Sequence, residues 1–196
     1  MSSIKLESNA SGTGIFTIAS PNSNTNRTLT LPDNTGTILT GSSAITRSQL
    51  PAGSVLQVVS TTKTDTASTT STSFSDVSGL SVTITPTSST SKIFIILTLG
   101  SVGNTVNTVK FNILRNSTNI AQPASGGNSS TINHFPGATV SATGDCASFL
   151  DSPATTSAIT YKIQWAVDGS TGYLNRHTGN TDYNSVSTIT AMEIAA

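Results

Sequence analysis

Six side chains in two polar stretches are the candidates for recognition chemistry. His134 and Phe135 lie in a run dense in Gly, Asn, Ser and Pro, and Tyr173, Arg176, His177 and Tyr183 lie in a second such run. An aromatic ring in a polar loop can stack on a sugar ring, or it can pin its own loop to the body of the protein. Catalytic chemistry has less to work with. Cys146 is the single cysteine, so no intrachain disulfide can form, and a nucleophilic thiol would need a base beside it. We expect a buried, inert thiol. Asp145 and Asp151 are the only acids between Asp76 and Asp168, whereas glycoside hydrolysis needs two carboxyls at a set separation. Asp168-Gly169-Ser170 and Asp182-Tyr183-Asn184 would offer calcium one or two oxygens each, and both read more simply as Asx-turns. His134 or His177, repeated around a threefold axis, would be a further ion site. The expectation is a chain with no catalytic residue, no metal and no cofactor.

Composition narrows the partners. Charged residues are 9% of the chain and cancel to a formal net charge of zero, while Ser and Thr make up roughly a third of it, far above ordinary usage. A neutral, hydroxyl-coated surface has no field with which to gather phosphates or anionic lipids. Neither nucleic-acid binding nor membrane insertion is expected, and no apolar run reaches the length of a membrane-spanning helix. The start of the chain lacks the apolar core of a secretory signal, so Met1 is expected to begin the mature protein.

The elements that must position these side chains are strands. Apolar and polar residues alternate in Ile159–Val167 and Leu80–Ile84, as in strands with one wet face, and helical periodicity is absent. Eight strands are expected: Val55–Ser60, Phe74–Thr85, Lys92–Val102, Thr108–Arg115, Cys146–Asp151, Ile159–Val167, Gly172–Arg176 and Val186–Ile194. Such a set suits an antiparallel two-sheet sandwich with Ile163 and Trp165 in its core. Ile93–Leu97 is continuously apolar, so both its faces should be covered. Asn116–Gly144 should be a long loop, of the kind that carries recognition on a rigid scaffold.

Ahead of Pro51 the pattern changes. Ile15–Ile18, Thr28–Leu31 and Thr37–Thr40 are strand-like runs of about four residues, near the lower limit for a strand, divided by Pro, Asn, Asp and Gly turns. They cannot bury their apolar positions alone, and two further copies of the chain would cover them. Arg27–Thr40, RTLTLPDNTGTILT, resembles the repeated N-terminal module of tail fibres and other virion appendages of tailed bacteriophages, especially phages of aquatic bacteria. Phe149–Thr156 and Ser187–Ile194 resemble the closing strands of the small β-sandwich heads that end such appendages.

The resemblance implies an all-β protein in two parts. Residues 1–52 form an interlaced β module that trimerises and docks on other virion proteins of the tail, baseplate or capsid, through Ile15, Phe16, Ile18, Leu29, Leu31, Pro32, Ile38 and Leu39. Residues 53–196 form an antiparallel, jelly-roll-like β-sandwich head. The implied protein is a short homotrimeric tail fibre, assembled in the bacterial cytoplasm, whose head binds host-surface polysaccharide or protein. A capsid decoration protein and a secreted carbohydrate-binding module are the alternatives. The single copy of the N-terminal module implies a stubby appendage.

Overall fold

The computed structural model describes residues 11–15, 17, 19, 22–26, 28, 45–46, 49–104, 106–124, 129–135 and 142–196. The chain divides into two compact units, Met1–Ser43 and Ala44–Ala196, so the expected boundary at residue 52 falls inside the second. In the first unit Ile15 is exposed and belongs to no strand. Phe16, Ile18, Leu29, Leu31, Pro32, Ile38 and Leu39, with the expected strands from Thr28 and Thr37, lie outside the described residues, Thr28 itself excepted.

The second unit is all-β. Its strands are β1 (Val55–Lys63), β2 (Ala67–Thr69), β3 (Ser75–Ile84), β4 (Lys92–Gly103), β5 (Val109–Arg115), β6 (Thr118–Asn119), β7 (Ile132–His134), β8 (Ala142–Asp151), β9 (Ile159–Val167), β10 (Gly172–Leu174) and β11 (Ser187–Ile194). They form two sheets in which every pairing is antiparallel. In the first sheet β11 lies between β1 and β4, and β8 takes the other edge of β4. β10 continues the line of β11 along β4, with β2 beyond it. In the second, β9 lies between β3 and β5, and β6 and β7 share the far edge of β5.

Period-two patterning decides which face is buried. In β4, Ile93, Ile95, Leu97 and Leu99 point into the sandwich, where they meet Phe111, Ile113, Ile163 and Trp165 of the second sheet. Phe111 and Trp165 stack with ring centroids 6.2 Å apart, so Ile163 and Trp165 are core residues as expected. The alternate β4 residues, Phe94 and Ile96, are only half-buried. Among the described residues, then, one face of Ile93–Leu97 is covered by the second sheet and the other is only partly covered, leaving open the expected cover by a neighbouring subunit. Register places Val58, Met192, Phe94 and Leu150 side by side across four strands, with Val58 54% and Leu150 50% exposed.

Two other expectations are corrected. Asn116–Gly144 is not one long loop: it contains β6, β7 and the first residues of β8. Cys146 is exposed, because the inward positions of β8 are Asp145, Ala147, Phe149 and Asp151, and Cys146 pairs with outward-facing Thr98.

Buried polar groups tie the layers together. Asp151 takes both oxygens to the Arg115 guanidinium, at 2.9 and 3.0 Å, and accepts the Tyr161 hydroxyl proton at 2.7 Å. Burial, reinforced by the Asp151 carboxylate, pushes the Tyr161 phenol up. Fully buried Glu193 accepts from the Thr87 amide and hydroxyl at 2.7 and 2.6 Å and from Gln57 at 2.6 Å. Burial opposes its charge, yet the bonds from Thr87, Gln57 and Ser91 outweigh that cost and hold its carboxyl down at about 2.

Candidate functional site

The strand register gives the sandwich two distinct poles. At one, Gly53 N–H donates to the Ala195 carbonyl at 2.8 Å and Ala195 N–H to that of Ser54 at 2.9 Å. Chain segments therefore enter and leave here, beside the start of β4 and the end of β8. At the other pole, Gly103 pairs with both Tyr173 and Ala142, and Val109 with both His134 and Val167. That topology brings His134, Phe135, Tyr173, Arg176, His177 and Tyr183 to one end, across some fifty positions of sequence.

The loops of this distal pole are held by side-chain amides. Asn104 Oδ1 accepts from the amides of Val106 and Asn107, and its Nδ2 donates to the Gly169 carbonyl. Asn107 Nδ2 donates to Ser170 Oγ at 3.2 Å. Asp168 is taken by Lys110, so the Asp168–Ser170 turn is built by an ion pair and an amide.

The segment 175–186 is fixed more firmly still. Asn175 is fully buried with φ 63°, the left-handed region that Asn tolerates. Its Nδ2 donates to the carbonyls of Lys63 and Asp65 at 2.9 and 3.0 Å, and its Oδ1 accepts from Ser187 Oγ at 2.6 Å. Its backbone carbonyl accepts from Ser185 N–H. The segment rests on the irregular stretch of β4 between Leu99 and Val102, where the amides of Gly100 and Ser101 donate to the hydroxyls of Ser187 and Ser185. A Cβ on Gly100 would come within 2.5 Å of Ser185 Oγ and 2.6 Å of the Val186 carbonyl. Asn175 and Gly100 were not legible as site residues, since both fall inside expected strands, Gly172–Arg176 and Lys92–Val102.

On this frame sit two aromatic pairs. The Arg176 guanidinium carbon lies 4.4 Å from the centre of the Tyr173 ring, in the range of a cation–π contact. His177 and Tyr183 meet edge to face, centroids 6.2 Å apart at 82°, while His177 N–H donates to the Tyr183 carbonyl and His177 Nδ1 accepts from Gly179 N–H. Tyr183 is 67% exposed.

The other two candidates part company. Phe135 is 73% exposed, but His134 is 4% exposed and turned inward. Its Nδ1–H donates to Asp145 Oδ2 at 2.7 Å, linking β7 to β8, and its buried Nε2 has no hydrogen-bond partner. His134 is therefore not presented to a partner on the surface. Among the described residues no three His, Cys, Asp or Glu gather as metal ligands would, and no helix is long and apolar enough to cross a membrane.

Away from these loops, an open cleft of about 380 Å³ lies between Ile120–Pro123, Ser130–Thr131 and Ala147–Phe149 of β8. Gln122 and the Thr131 amide both bond Asn112 Oδ1 there, so part of its polar lining is already engaged. Compared with known proteins, the chain matches no family model and no curated sequence.

Proposed function

We propose that the chain is a structural protein of a tailed-bacteriophage virion, a short homotrimeric tail fibre that binds the host cell surface. The observation that carries this reading is the polarity of the sandwich. The chain runs into β1 and out of β11 at the pole of Gly53 and Ala195, and the aromatic loops stand at the opposite pole of the sandwich. A fibre that holds the virion at one end and meets a cell at the other needs that arrangement.

The order of strands adds support. The strand order β1-β11-β4-β8 in one sheet and β3-β9-β5-β7 in the other supports a jelly-roll-like reading of the head, a double-sheet form found in viral capsid and lectin domains. Residues 1–52 would supply docking and trimerisation through the apolar positions named above, and the head would meet host polysaccharide or protein.

One observation favours a second reading, a capsid decoration protein. The partly exposed apolar row Val58, Met192, Phe94 and Leu150 crosses the outer face of the first sheet, which suits a protein lying against capsomers. Gold-labelled antibodies to the head, imaged on intact virions, separate the two. Label at the tail tip is expected; label over the capsid transfers the assignment to decoration.

A further inference from the structure

We infer that Arg176, set on the Tyr173 ring, reads the carboxylate of an acidic sugar in the host-surface polysaccharide. This rests on the attachment reading above and names the ligand class. Lys63, Lys110, Arg115 and Lys162 each lie against an aspartate, and Lys92 reaches toward the Ser152 hydroxyl. Among the described residues no carboxylate lies within ion-pair distance of Arg176. Its one hydrogen bond among them is a long one, Nε–H to the His177 carbonyl at 3.4 Å, and neither terminal nitrogen is engaged.

Stacking gives that open fork a fixed plane. A guanidinium held over a ring keeps its planar donors in one orientation, and two parallel N–H groups match the two oxygens of a carboxylate. The support beneath it does not move freely: Tyr173 pairs with Ser68 and Gly103 in the sheet, and Asn175 clamps the intervening backbone. The Arg176–Asn184 bridge ties this backbone to the returning segment, in which the next pair, His177 and Tyr183, meet edge to face. A preorientated guanidinium set on an aromatic ring, with no carboxylate partner among the described residues, is suited to a single acidic sugar.

The test uses the full chain on immobilised capsular polysaccharides and lipopolysaccharides. Each is presented native, with its carboxyls chemically reduced to alcohols, or dephosphorylated. The inference expects binding to a native glycan that falls at least tenfold on carboxyl reduction and survives dephosphorylation. Arg176→Gln should show the same loss, and Arg176→Lys most of it, with the thermal unfolding midpoint of both variants unchanged. Equal binding to native and reduced glycans, or loss on dephosphorylation alone, overturns the inference and leaves the attachment reading standing. A chain that binds neither these glycans nor whole bacteria overturns both.

Discussion

Glu193 and Asp151 show how a core with few charges uses them. Glu193 has a folded pKa of about 2 against an ordinary 4.5, so it adds stability above about pH 4.5 that disappears as pH falls toward 2, on the order of 3 kcal/mol. Glu193→Gln should flatten this acid limb and cost about 1–3 kcal/mol at neutral pH, because an amide NH2 would face the Thr87 and Gln57 donors. Urea unfolding at pH 2.5, 4 and 7 measures both effects. Asp151→Asn should cost about 3 kcal/mol by leaving Arg115 half-buried without its carboxylate. Tyr161→Phe should cost only about 1 kcal/mol. Equal losses would mean that the Tyr161 bond, and not the ion pair, dominates.

Individual residues also mark the limits of reading a strand from its letters. Cys146 lies in an alternating run whose inward members are Asp145, Ala147, Phe149 and Asp151. Two of those four are carboxylates, so hydrophobicity pointed to the wrong parity. The carboxylates turn inward because His134 and Arg115 wait for them. Those partners lie on other strands, and no local pattern names them.

Among the elements, the long strands β1, β3, β4, β5, β9 and β11 were readable because five or more residues are enough to display a period of two. β2, β6 and β7 are two or three residues long and rich in Ser, Thr and Asn; they exist because a neighbouring strand offers an edge. The segment 175–186 belongs with them, since its shape comes from Asn175 and from the seat in β4. Asn175→Gly should cost about 2–3 kcal/mol by deleting three side-chain bonds. Asn175→Ala should cost about 1 kcal/mol more, the penalty of a Cβ in the left-handed region. Gly100→Ala should lower stability by about 1–3 kcal/mol and open the segment to protease. Limited proteolysis with mapping of cuts between residues 176 and 185 checks this; unchanged resistance would show that the seat does not hold the loop.

For the assembled particle, light scattering on the intact chain at micromolar concentration should give three times the 20.0 kDa of one chain. A monomer would remove the homotrimer from the proposed function. The convergence of His134, Phe135, Tyr173, Arg176, His177 and Tyr183 on one pole was only half visible beforehand. Tyr173 to Tyr183 are near one another in the chain, but His134 joins them through the shared partner Val109 and the return of β9. The same topology buries His134 while leaving Phe135 outside, a distinction that two adjacent letters cannot carry.

The paired hydrogen bonds between Gly53, Ser54 and Ala195 have a practical corollary. Because the two ends of the sandwich leave side by side and away from the aromatic loops, the unit is shaped like a plug with both wires on one face. It should tolerate being spliced into a surface loop of an unrelated carrier. A fluorescent protein joined after Ala196 would hang on the far side from Tyr183. Labelled units of that kind would test the proposed cell binding without obstructing the aromatic loops.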